Sequence, residues 1–408
     1  MPRRSLVPLG AACLVVFAAP AVRAQSPLTF QQALTMARER APRVAVARAR
    51  IDEARGRLAG AQVRFRDNPV IDASVGPRWL DTGAVTDYDF GLSQTFELGN
   101  RRGARIAAAE AGVARELAVS DATIRQLVRD VAVAYVRTLL AQTRIDVLRA
   151  AETVAKEAFD VTDRRFRAGD IAVLDVNVAR GSAARAASQT RAAEAERAAA
   201  LGELKALLAW SEGVDPQPVG NLNDLIRAGL DVQPVALSER PEVQGLVAEA
   251  AEARADVRLG QAFKKPDLGF GVRLKRDEGN QGAAGVFSIA IPVFNAGQEQ
   301  VATSTARQRR AELERTAVMS ELDLRARATR ATFTLRLSAT EPLERDVLPG
   351  LEENERLARR SFEVGELSLP DLLVIRREFV DTRLQYVEAL ADAALASIDW
   401  QMAAGVLR

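Results

Sequence analysis

The amino-acid sequence predicts a mainly α-helical, internally duplicated chain built on long coiled-coil helices, with four β-strands that belong in a membrane β-barrel. Three observations carry this reading. The stretch Arg165–Arg180 occurs again as Ser361–Arg376, with Phe166, Gly169, Asp175, Val178 and Arg180 recurring as Phe362, Gly365, Asp371, Val374 and Arg376. Two pairs of segments alternate apolar and polar residues with period two, as strands with one apolar face do. The run Gly99–Arg167 contains no proline and keeps apolar residues at threes, fours and sevens, the seam of a coiled coil.

At the N-terminus, Arg3 and Arg4 precede an apolar run from Leu6 to Val22, and Val22-Arg23-Ala24 supplies small residues for cleavage before Gln25. Residues 1–24 therefore read as a signal peptide and the protein as exported. Cleavage removes three arginines and no acid, leaving 53 of the 56 bases against 54 acids. That balance gives no basic surface for nucleic acid. The one cysteine, Cys13, leaves with the signal and lies too early in it for a lipoprotein site, so neither disulfide nor thiol chemistry is expected.

The first repeat is expected over 25–210. A short helix runs from Leu28 to Ala41 with Thr29 as its cap, and Pro42 separates it from a second helix over Val44–Phe65. The strand pair 69–98 follows. Ile71, Ala73, Val75, Pro77 and Trp79 share one face, and Tyr88, Phe90, Leu92, Phe96 and Leu98 continue it after a turn at Asp81-Thr82-Gly83. The 69 residues from Gly99 to Arg167 would span about 100 Å as one helix. A return helix over Ile171–Trp210 carries alanines that permit close packing, so a helical hairpin is expected with its tip at 166–175. Gly169 there takes the left-handed conformation that ends a helix.

Segment 211–238, with Pro216, Pro218 and Pro234, reads as the linker between repeats. The second repeat, 239–408, restates the first at an offset of 196 to 199 residues, as 365 − 169 and 241 − 42 show. Its strand pair falls at 266–294, with Phe270 and Val272 on the apolar face and a polar loop over Asp277–Gly285. Its second tip falls at 362–371. Pro342 and Pro349 break the long helix of this repeat alone, so this arm should be jointed.

Four strands are too few to close a barrel, and open edges are not tolerated in lipid, so the strands must close by oligomerisation. Ile71, Val75, Trp79, Tyr88, Phe90, Leu92, Phe270 and Val272 then face lipid. The rival is a soluble antiparallel sheet packed on the helices; it fares worse because the helix seams are already committed to one another. With no histidine in the chain and no cysteine after cleavage, imidazole and thiolate metal sites and histidine-based triads are excluded. Carboxylate pairs such as Glu352-Glu353 fall among arginines and read as solvated faces. No catalytic residue, metal site or cofactor is expected.

With Phe-x-x-Gly-x-x-x-x-x-Asp at both tips and the helix, strand-pair, long-helix plan repeated over the whole mature chain, the sequence resembles the TolC-type outer-membrane efflux factors. Phe96-Glu97-Leu98-Gly99-Asn100-Arg101-Arg102 further resembles the Czc-type, heavy-metal branch. The resemblance implies a homotrimer with a twelve-stranded outer-membrane barrel and a periplasmic tunnel of twelve helices. It also implies a periplasmic adaptor, or membrane fusion protein, and an inner-membrane pump of the RND type as partners, and places most of the chain in the periplasm. It assigns a gate role to Asp371 and Asp175. Adaptor docking falls to the tips, at Phe166, Gly169, Asp170, Leu174, Phe362, Gly365, Glu366 and Leu369. The best-known member carries tyrosine and arginine where this chain has Phe362 and Leu367, so its polar latch is not carried over. A type I secretion channel shares the whole fold and stays open as an alternative. A periplasmic adaptor fits less well, since it has one helical hairpin per chain and added β modules.

Overall fold

In the computed structural model the described residues are 26–81, 83–211, 213–277 and 280–407, so the expected signal peptide lies outside them. The chain opens with strand β1 (Ser26–Thr29) and helix α1 (Phe30–Arg40). Thr29 caps α1 as expected: its hydroxyl accepts from the Gln32 N–H while the Gln32 side chain accepts from the Thr29 N–H, which satisfies two otherwise orphaned donors. Pro42, fixed at a helical φ and needing no N–H there, starts α2 (Pro42–Gln62).

Strands β2 (Val70–Leu80) and β3 (Gly83–Phe96) follow, then α3 (Arg101–Arg167), 67 residues without a break. α4 (Val173–Leu208) runs back along it. The segment expected as a linker is ordered: it holds β4 (Pro216–Val219), α5 (Leu222–Arg227) and a 3-10 turn at Leu237–Glu239. β4 pairs in parallel with β1, Leu28 opposite Pro218, a contact no local pattern announces.

The second repeat brings α6 (Pro241–Ala262), β5 (Asp267–Asp277), β6 (Asn280–Ala290), α7 (Gln298–Ser338), α8 (Leu348–Glu363) and α9 (Leu369–Ala404). Both strand pairs end sooner than expected, at Phe96 and Ala290 rather than 98 and 294. The polar segment Asp277–Gly285 is mostly strand, not loop: Asn280 lies opposite Asp277 and Gly285 opposite Val272, so the ladder to β5 overrides a composition of glycine and small residues.

Gly169 and Gly365 end the outgoing arms of the two hairpins at φ 88° and 87°. The jointed arm is the second. After Ser338 the helix breaks, and a π-helical turn spans Leu343–Val347 between Pro342 and Pro349, each of which withholds one helix hydrogen bond. Amide exchange over Leu343–Phe362 is expected to be faster than over the matching Val147–Phe166 of unbroken α3; equal protection would show that the joint does not loosen the arm.

The main core sits midway along α3, where the C-terminal ends of α4, α7 and α9 meet it. Val128, Val131, Tyr135, Leu204, Leu208, Ile226, Phe333, Ile398 and Trp400 pack there against α1 and β1. Tyr135, fully buried, places its hydroxyl 2.7 Å from the Val219 carbonyl and 2.8 Å from that of Leu28, so one side chain of α3 ties down both strands of the small sheet. Burial pushes its pKa up to about 12, and the hydroxyl stays protonated as a donor. Tyr135→Phe should cost about 1 to 3 kcal/mol by leaving buried carbonyls unpaired. Denaturant unfolding would measure it, and an unchanged midpoint would deny the tie any weight.

Candidate functional site

The strands form one sheet in the order β2-β3-β5-β6, all antiparallel. Its register decides which residues share a face, since residues directly opposite point the same way. Ile71 lies opposite Leu92, Val75 opposite Tyr88, Leu92 opposite Val272, and Phe270 opposite Phe287. The apolar positions of all four strands therefore fall on a single face, which joins strands from the two repeats. In one copy this face stands uncovered: Trp79 is 80% exposed, Val75 74% and Ile71 65%, with Phe90, Leu92, Phe270 and Val272 also exposed and Tyr88 half-buried. β2 is eleven residues long, the length a tilted strand needs to cross the hydrocarbon layer.

Near the sheet's helix end, Phe65, Phe96, Phe270 and Phe287 form a row with ring centroids 5.2 to 5.9 Å apart. Such girdles mark the interfacial level of membrane barrels. The opposite face is charged and glycine-rich. Asp72 lies over Gly91, where a Cβ would overlap its carboxylate, and so reaches Arg273 two strands away at 3.4 Å. Asp89 meets the same guanidinium at 3.5 Å.

A buried knot fixes the sheet to the helices. Arg101, 6% exposed in its side chain, sits in the first turn of α3 and makes two 2.7 Å bonds to the Asp267 carboxylate at the start of β5. It also donates to the carbonyls of Ala262 and Lys265 and stacks on Phe263 at 4.7 Å. Nothing in the local pattern announces this role, because an arginine in a helix's first turn reads as solvated.

At the far end, the tips are unequal. Phe166, Gly169, Asp170 and Leu174 of the first are exposed, as are Gly365 and Glu366 of the second. Phe362 and Leu369, expected on the docking surface, are instead buried with Ala179, Ala358 and Leu372: the second tip packs its apolar side chains onto the first hairpin. Asp371 is exposed and bonded to the Ser368 hydroxyl, which caps α9, while half-buried Asp175 lies in the first turn of α4. Both carboxylates thus sit at the positive end of a helix dipole.

Between the hairpins, Arg359 pairs with Glu157 at 2.9 Å, and Arg376 donates to the Val154 carbonyl at 2.9 Å beside Glu355. Burial lowers the Arg376 pKa and Glu355 opposes that shift. A cleft of about 1130 Å³ lies alongside, walled by all four hairpin helices. Among the described residues, no helix is long and apolar enough to cross a membrane, and no group of three or more acidic, histidine or cysteine side chains could hold a metal ion.

A sequence model of the family described as outer membrane efflux protein matches residues 33–209 and 233–406, one match per repeat. The cobalt-zinc-cadmium resistance protein CzcC of Cupriavidus metallidurans is 27% identical over 92% of this chain and 89% of its own length. Among solved structures, the CmeC outer membrane channel of Campylobacter jejuni superposes with a TM-score of 0.75 at 15% identity, over 99% of this chain and 94% of that one. CusC, solved in connection with transmembrane channel formation, gives 0.75 at 18% identity over 92% and 91%.

Proposed function

Because the chain belongs to the outer membrane efflux protein family, we propose that three copies form the outer-membrane channel of a tripartite efflux system that exports heavy-metal cations. The observation that supports this best is the single exposed apolar face of an open four-stranded sheet, mounted on helices far longer than a small core requires. Three such sheets would close into a twelve-stranded barrel with Ile71, Val75, Trp79, Phe90 and Phe270 toward lipid and the Asp72–Arg273–Asp89 cluster toward the lumen. The family consists of channel components, not enzymes. The likeness to CzcC supports a metal cargo, and selectivity would rest with an RND-type pump, since the chain has no histidine and its one cysteine, Cys13, lies in the expected signal segment.

Deleting the gene should sensitise the host to cobalt, zinc or cadmium while leaving organic toxicants unaffected. Sensitivity to organic toxicants alone would remove the metal assignment. Unchanged resistance together with loss of an exported protein would favour a secretion channel.

The exposed tip residues, Phe166, Gly169, Asp170, Leu174, Gly365 and Glu366, are the proposed contact for a periplasmic adaptor, and Asp371 with Asp175 the proposed narrowing of the mouth. Gly365→Val tests the contact. At φ 87° a side chain is strained by roughly 1 to 2 kcal/mol, and its Cβ would come within 3.2 Å of the Arg165 guanidinium on the neighbouring tip. The variant should still reach the outer membrane, yet lose adaptor cross-linking and metal resistance together. Retention of both would reject the tip as the docking surface.

A further inference from the structure

Resting on the reading that the sheet lies in the outer membrane with its helices in the periplasm, we propose that the segments joining sheet to helices form a cationic collar. The collar holds anionic phospholipid of the adjacent leaflet by its phosphate groups. Depth comes first. β2 and β5 are each eleven residues long. At about 3.3 Å per residue and a tilt of about 40°, each climbs about 28 Å. The apolar band of a membrane barrel is about 25 Å tall, so the strands use it up, and the residues just before them lie at headgroup level.

What stands at that level is basic. Arg64 and Arg66 precede β2, Lys264 and Lys265 precede β5, and Arg102 lies in the first turn of α3 below β3. All five are exposed. Lysine is scarce elsewhere, with only three more in the whole chain, so an adjacent pair here is not a by-product of composition. An ammonium on a flexible stem can reach along apolar surface to a phosphate. The acids at the same level are largely engaged. Glu97 holds Arg105 at 2.7 Å and Asp267 is taken by buried Arg101, which leaves Asp67 and Glu299 as the exposed ones. The exposed balance is therefore positive.

Contacts in the first repeat show which side its part of the collar takes. Phe96 lies opposite Leu268 on the apolar face, Phe65 meets Phe96 with ring centroids 5.6 Å apart, and the Arg64 guanidinium lies 5.6 Å over the Phe65 ring. Gln94, on the same face, donates to the Asp67 carbonyl at 2.8 Å, which draws the segment before β2 up along the sheet. Arg64 thus continues the apolar face instead of turning from it. Its ring partner sits at the edge of the acyl layer, and its charge sits where phosphates are. In the second repeat Val293 and Phe294 follow β6 at the matching level, and Phe294 is 93% exposed. Apolar anchors and cations therefore share one level, the composition of a surface that meets headgroups. A cation near an anionic surface favours it by about five-fold.

The test uses the full-length protein reconstituted into phosphatidylcholine vesicles that carry a trace of spin-labelled phosphatidylglycerol or spin-labelled phosphatidylcholine. Electron spin resonance separates lipid held at the protein surface from lipid of the bulk bilayer. At about 10 mM salt the held share of the phosphatidylglycerol label should exceed that of phosphatidylcholine about three- to five-fold. At about 1 M salt, where charges are screened within about 3 Å, the two should be nearly equal. Replacing Arg64, Arg66, Lys264 and Lys265 by glutamine together should bring the labels to parity at low salt while the held phosphatidylcholine stays the same. Where that variant does not reconstitute, Lys264→Gln with Lys265→Gln serves alone and should remove about half of the preference. Parity in the native protein, a preference that survives 1 M salt, or one undiminished in the variants would overturn the collar. No held lipid with either label would mean that the sheet does not meet the bilayer, which would strike the membrane reading itself and the collar with it.

Discussion

Phe90→Arg should nearly abolish assembly in the outer membrane, while Ser93→Arg, three residues on and pointing to the other face, should be tolerated. Phe90 lies opposite Ala73 and Leu274 on the apolar face, and Ser93 opposite Val70 and Gly271 on the charged one. An arginine at the lipid-facing midplane costs about 2 to 4 kcal/mol, and the proposed trimer would carry that cost three times. The measurement is the heat-modifiable trimer recovered from outer membranes for each variant. Equal recovery would mean that the apolar face does not meet lipid, and the soluble-sheet alternative would have to be taken up again.

Arg101→Ala should be the other severe change, through a different mechanism. It removes the cation from a mostly buried pair and leaves the Asp267 carboxylate and two carbonyls without their donors. Breaking such a pair from one side costs on the order of 3 to 5 kcal/mol. Arg101 pays for its position in part, since a cation in the first turn opposes the helix dipole, and its retained partners indicate how much the fork geometry returns. Arg101→Lys should fall between, keeping the charge and losing the two-pronged contact. Adding Asp267→Asn to Arg101→Ala should recover part of the loss by removing the stranded charge. Unfolding midpoints of the purified variants decide this, and an unaltered Arg101→Ala midpoint would reduce the knot to a surface contact.

Much of this molecule can be read from sequence because its main elements are set by local periodicity. The alternation at Ile71–Trp79, the unbroken seam of α3, the prolines at 342 and 349 and the tip glycines each act within a few residues of themselves. What stayed hidden depends on distant partners. β1 and β4 are four residues each and become strands only through each other, across most of the first repeat. Phe362 and Leu369 looked like tip surface until the first hairpin covered them. The segment after Asn280 has the composition of a loop and becomes strand because β5 lies beside it. Arg101 is recognised only with Asp267 in view.

The β3–β5 ladder has a kinetic consequence. It joins strands that lie on either side of the entire first hairpin, so a long loop must close before its first pair forms. Neighbouring helices such as α3 and α4 need no such closure and should form much sooner. On the proposed reading as an exported barrel subunit, the chain would then spend an interval with its helices built and its four barrel strands still open to water, the apolar strands being the last part to find cover. Under the proposed export, holding that state soluble would fall to periplasmic chaperones, and pulse-labelled chains should be captured by them chiefly through residues 70–96 and 267–290.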